Sequence, residues 1–115
     1  MSEVQKIKLN KLSDIQLEFT ITSGNNVVIN PNNKWITIYI RCGTKSLKVV
    51  NDPGGKETRY CHVEGDKLIV DIPGKKLDVG TIEYMIETRN NDENFNDKFK
   101  NIFSLNYSKT NIQLV

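Results

Sequence analysis

The sequence predicts an all-β chain folded as one two-layer β-sandwich across residues 1–115, with a small β-barrel as the alternative. Three observations carry that expectation. The chain contains no alanine and is rich in Ile, Val, Thr and Asn, so the best helix former is missing while β-branched and turn-forming residues abound. The stretch WITIYIRC, Trp35 to Cys42, alternates strictly, with Ile36, Ile38, Ile40 and Cys42 on one face and Trp35, Thr37, Tyr39 and Arg41 on the other. Short alternating runs separated by Gly, Pro, Asn and Asp clusters recur along the rest of the chain, the rhythm of a sandwich or barrel. At 115 residues one core is expected, and folding buries about two-thirds of the surface of the unfolded chain.

The elements follow in order. Glu3 to Leu12 opposes Ile7 and Leu9 to Lys6, Lys8 and Asn10, which reads as a lysine-guarded edge strand. Ile15, Leu17, Phe19 and Ile21 alternate with Gln16, Glu18, Thr20 and Thr22 in a second, half-buried strand, and Ser23 to Asn26 forms a turn. Val27 to Ile29 pairs briefly before the Asn30–Asn33 loop; Trp35 to Cys42 is the central strand, closed by Gly43. Ser46 to Val50 and Thr58 to Glu64 are strands on either side of the Asn51–Gly55 breaker, with Cys61 and Val63 inward and Tyr60 and His62 outward. Gly65-Asp66 has the spacing of a two-residue hairpin into Lys67–Ile72, with glycine in the first central position. After Pro73 to Lys76, Leu77 and Val79 tuck under the sheet and Gly80 introduces Thr81 to Thr88. Asn90 to Lys100 is a polar insert anchored by Phe95 and Phe99, and a last alternating stretch, Ile102 to Tyr107, leads to Ile112, Leu114 and Val115.

Composition excludes several functional classes. Sixteen basic and fourteen acidic side chains are interleaved to a net charge of +2, a solvated surface and not a polyanion-binding one, so nucleic acid is not expected as a partner. No apolar run has the length of a signal peptide core or of a membrane span, and the expected site is the cytoplasm or an assembly formed there. Cys42 and Cys61 both alternate inward and are expected as buried thiols, with a disulfide as the lesser reading.

No catalytic residue, cofactor or metal site emerges. His62 is the only histidine, its neighbour Cys61 points to the opposite face, and no further ligand spacing surrounds them, so a surface histidine is the reading. A serine triad would need the same His62 without a GxSxG elbow to present the nucleophile. Gly54-Gly55-Lys56 lacks the spacing and helix of a phosphate loop. The oxygen-bearing series Asn90, Asp92, Asn94, Asn96 puts Phe95 where a calcium loop needs glycine. Glu83 and Glu87, about 13 Å apart by the strand rise, are too widely spaced for a glycosidase pair and read as a solvated sheet face. Trp35 and Tyr39, with Tyr60 and His62 nearby, point away from the assumed core. Together with Phe95, Trp35, Tyr39 and Tyr60 are the candidate protein interface, and this reading and a covering layer of loops stand together ahead of a base-stacking or sugar-binding platform.

The C-terminal part carries a resemblance. Gly80-Thr81-Ile82-Glu83-Tyr84-Met85-Ile86, then Phe95-Asn96-Asp97 and the closing Thr110-Asn111-Ile112-Gln113-Leu114-Val115, resemble small immunoglobulin-like structural proteins of tailed bacteriophages and prophages, particularly of Bacteroides-like hosts. Leu68-Ile69-Val70-Asp71-Ile72-Pro73, leading through Leu77 to Gly80, is similar to the N-terminal domain of baseplate upper proteins. The resemblance implies an immunoglobulin-like antiparallel sandwich that is a virion structural protein and not an enzyme. The implied partners are the major capsid protein or tail and baseplate subunits, with a homo-oligomer within the assembly. Because no receptor-binding region follows Val115, an auxiliary or decoration capsid protein is the form expected.

Overall fold

The computed structural model describes residues 7–22, 28, 30, 31, 34–91, 99–103 and 107–115. Nine strands are present among them: β1 (Ile7–Leu9), β2 (Ile15–Thr20), β3 (Trp35–Cys42), β4 (Lys45–Asn51), β5 (Cys61–Glu64), β6 (Lys67–Ile72), β7 (Gly80–Asn91), β8 (Phe99–Phe103) and β9 (Ser108–Leu114). They form two sheets packed face to face, a sandwich and not a closed barrel. One sheet runs β1-β9-β7-β3-β4, with β8 paired to the far half of β7; the other runs β2-β6-β5. Read as B-E-D against G-F-C-C′, with β1 beside the last strand, this is the strand order of the immunoglobulin sandwich.

The alternating faces account for the core. Ile36, Ile38 and Ile40 of β3 and Ile82 of β7 project inward against Leu68, Val70 and Ile72 of β6 and Ile15 of β2, all buried, with Leu77, Val49, Cys42 and Leu114 completing the cluster. Isoleucine and valine suit these positions because their branched side chains fill a pleated surface with few rotamers to lose. Phe19 of β2 and Tyr84 of β7 meet edge to face across the two sheets, centroids 5.3 Å apart and planes at 75°.

Two tight hairpins set the registers. Gly43-Thr44 joins β3 to β4 and Gly65-Asp66 joins β5 to β6, with Cys42 opposite Lys45 and Glu64 opposite Lys67. In each, only the first central residue, a glycine, has positive φ (61° and 62°), the pattern of a type II′ turn. The first turn is docked onto the segment before β7: Thr44 Oγ1 donates to Asp78 Oδ2 at 2.8 Å and the Asp78 amide donates to the Cys42 carbonyl at 3.3 Å.

Several expectations need correction. The sandwich is not antiparallel throughout, because β1 runs parallel to β9. β7 continues to Asn91, where pairing with β8 holds two asparagines in extended backbone despite their turn preference. Of the late strand expected over 102–107, Ile102 and Phe103 belong to β8, Tyr107 precedes β9 and residues 104–106 lie outside the described residues; β8 and β9 each take half of β7. Leu77 is buried as expected, whereas Val79 is 49% exposed. Tyr60 does not point outward: its φ of 60° breaks the alternation just before β5, and its ring packs against the core.

Candidate functional site

The outer face of the larger sheet holds two of the four residues proposed as an interface. Trp35 and Tyr39 leave β3 on the side opposite the isoleucines, as their alternation requires. The β3–β7 register places Trp35 across from Arg89, Thr37 from Glu87, Tyr39 from Met85 and Arg41 from Glu83. Directly opposed side chains on one face are in contact range, so the face is a set of cross-strand pairs. The Arg89 guanidinium lies over the Trp35 ring, 4.9 Å from its centroid, and the Arg41 guanidinium lies 3.7 Å from the Tyr107 centroid while its Nε donates to Glu83 Oε1 at 3.2 Å. Trp35 Nε1 donates to Thr37 Oγ1 at 3.3 Å.

This face is drier than alternation alone implies. Thr37 is 1% exposed and Glu87 8%. Glu87 is therefore not part of a solvated pair with Glu83: it is buried beside Tyr39, and Glu83 is engaged by Arg41. Burial, and then the Glu87 carboxylate that accepts its phenolic hydrogen bond, raise the Tyr39 pKa above the usual tyrosine value. Arg89 Nε is buried without a hydrogen-bond partner, an arrangement that costs on the order of 1–3 kcal/mol and is offset in part by the guanidinium's stacking on Trp35.

The other two proposed interface residues stand apart. Tyr60 sits at the seam of the sandwich, its carbonyl accepting from the Asp71 amide and its ring 5.9 Å from Lys76 Nζ. Phe95 lies outside the described residues, as do Asp92, Asn94 and Asn96 of the series weighed for calcium, whose first member, Asn90, belongs to β7.

His62 is on the outer face of the smaller sheet, as expected. Its Nδ1 meets Asp71 Oδ2 and its Nε2 meets Glu64 Oε1, both at 3.1 Å, and Gln16 Nε2 donates to the other Asp71 oxygen at 2.8 Å. The sequence reading missed this network, although the register of the predicted 65–66 hairpin puts His62 opposite Ile69 and one diagonal step from Asp71. Asp71 also lines an open cleft of about 380 Å³ with Asp14, Ile15, Gln16, Ile72 and Pro73. Both imidazole nitrogens are taken by carboxylates that flank the ring from opposite sides, so neither is aimed at a reacting group in that cleft. Among the described residues no group of three or more His, Cys, Asp or Glu side chains is placed to hold a metal ion, and no helix is long and apolar enough to cross a membrane.

No protein-family model matches this chain, and no curated protein matches it either.

Proposed function

We propose that this chain is a non-enzymatic structural protein of a tailed-bacteriophage virion, an auxiliary capsid protein that works by binding other virion subunits. The observation that carries this reading is the outer face of the larger sheet. There Trp35, Tyr39 and Met85 are interleaved with the Arg41–Glu83 ion pair, with Glu87 and with Arg89 stacked on Trp35, on two central strands of the sandwich. Aromatic, methionine and arginine side chains are enriched at protein interfaces, and side chains already held by neighbours lose little freedom on docking. The resemblance of residues 80–86, 95–97 and 110–115 to phage structural proteins supplies the virion as the setting.

A base- or sugar-stacking role is less well supported by the same geometry. The Trp35 ring already carries Arg89, the Tyr39 hydroxyl is bonded to Glu87, and Tyr60 is not on this face. Mass spectrometry of purified virions tests the proposal: the chain is expected at stoichiometric level, and its absence sinks the reading. A map of the particle then assigns it to capsid, or to tail or baseplate. Titration of Trp35 fluorescence with oligonucleotides and host polysaccharides is expected to show no change.

A further inference from the structure

The two sides of the sandwich are closed differently. On one side β4 reaches the segment before β5 through paired Val50 and Arg59 bonds (Val50 N to Arg59 O 3.2 Å, Arg59 N to Val50 O 2.9 Å), and the Cys61 thiol donates to the Val50 carbonyl at 3.1 Å. The remaining free part of β4 carries Lys45 and Lys48, charges that discourage further pairing. On the other side the smaller sheet ends at β2, and among the described residues no strand pairs with its outer edge.

The groups left open on β2 can be identified from hydrogen-bond parity. The Glu64–Lys67 pair closes the β5–β6 hairpin and the Asp71 amide bonds to Tyr60, so Lys67, Ile69 and Asp71 turn their backbone groups toward β5. Leu68, Val70 and Ile72 therefore face β2, and their register partners Phe19, Leu17 and Ile15 face β6. The N–H and C=O groups of Gln16, Glu18 and Thr20 are thus directed to the open edge. This edge has six residues, IQLEFT, with no proline, no lysine and no register shift in its pairing; its one charged side chain is Glu18.

We propose that this edge pairs with the same edge of a second copy of the chain, antiparallel about a two-fold axis at Leu17, to give a continuous sheet β5-β6-β2-β2-β6-β5. Self-complementarity selects the occupant and the register. With Leu17 opposite Leu17, Gln16 stands opposite Glu18 of the second copy on the outer face, an amide against a carboxylate. On the inner face Ile15 stands opposite Phe19, which covers Leu17 and Phe19, both only half-buried in the single chain. The neighbouring two-fold registers are worse. Centring on Glu18 opposes two carboxylates, centring on Gln16 sets Asp14 against Glu18, and centring on Phe19 needs Thr22, which is engaged by Val28. The pairing stands independently of whether the chain belongs to a virion.

Sedimentation velocity from low micromolar to near-millimolar concentration, with residue-resolved amide exchange, tests it. The expected result is a concentration-dependent shift from one chain to two, with the Gln16, Glu18 and Thr20 amides exchanging fast in dilute solution and slowing as the dimer forms. Glu18→Pro removes an N–H that has no partner among the described residues and is tolerated on a free edge. It should keep the far-ultraviolet circular dichroism while weakening the dimer by at least about tenfold. A single-chain mass at every concentration overturns the proposal. So does a dimer untouched by Glu18→Pro, or protection of these three amides in dilute monomer, which means that the edge is already filled within the chain. If Glu18→Pro does not fold, the exchange pattern of the unsubstituted protein decides.

Discussion

At Cys61 the sequence predicts a side chain turned inward, and the structure adds a thermodynamic consequence. Burial pushes its thiol up to about 11, because the thiolate loses more hydration than the neutral thiol. An acid whose folded pKa lies above its unfolded value favours the fold at low pH. Its contribution is whole below about 9 and is lost as pH rises toward about 11. Because the side chain is half-buried, and not fully buried as the sequence predicts, water screens part of the effect and leaves on the order of 1–2 kcal/mol. Urea titrations at pH 8 and pH 11 should show that decline, and Cys61→Ala should lose this part of it while tyrosine ionisation remains. A second prediction concerns the dry face. Tyr39→Phe removes the hydrogen bond to buried Glu87 and should cost about 1–2 kcal/mol in chemical denaturation, since a buried acceptor loses a donor. Alternation correctly assigned Tyr39 and Glu87 to the outer face. It could not give their burial, which depends on the neighbouring strands. Tyr60 escaped altogether, because one left-handed residue shifts the pattern and no local signal marks a tyrosine for that conformation.

Among the elements, β3 was legible to the residue through its uninterrupted alternation, and β6 likewise through a short apolar run, Leu68 to Val70, bounded by the Gly65-Asp66 hairpin and Pro73. β1, β7 and β8 were less so, because β1 pairs with a strand about a hundred residues away and β7 is lengthened by a partner, and neither fact is written in local periodicity. The two hairpins, with nearly the same φ at glycine, separate intrinsic from contextual cost. At Gly65 an added Cβ meets nothing within 4 Å, so Gly65→Ala should cost only the backbone strain of a side chain at this positive-φ turn position, about 1–3 kcal/mol. At Gly43 the same atom would lie 2.4 Å from the Val79 carbonyl oxygen and 2.9 Å from Asp78 Cβ, both on the segment that docks this turn. Gly43→Ala should therefore add an overpacking cost of about 1–3 kcal/mol and loosen the turn from Asp78. Parallel thermal melts of the two variants check this: equal losses would mean that the Gly43 turn is not held against residues 78–79.

For the whole molecule, the question is what ties the two sheets together without a covalent link. Immunoglobulin domains of the antibody type join strands B and F by a disulfide. Here the corresponding strands, β2 and β7, meet instead through the edge-to-face contact of Phe19 and Tyr84, while Cys42 and Cys61 are both free. An aromatic pair of this geometry adds about 0.5–1.5 kcal/mol beyond the apolar area that it buries, and it acts only when both rings are present. A double-mutant cycle with Phe19→Leu and Tyr84→Leu should show a coupling of that size, because each leucine keeps much of the burial while removing the ring interaction. The melting temperature should be the same with and without reductant, since no bond between sulfurs contributes to the fold. A coupling near zero would shift the tie between the sheets to the aliphatic layer of Ile36, Ile38, Ile82, Leu68 and Val70, and a melting temperature lowered by reductant would show that the thiols pair after all. The sequence shows both aromatic residues in inward positions, but their meeting depends on which strands face each other across the sandwich, and only the packed sheets establish that.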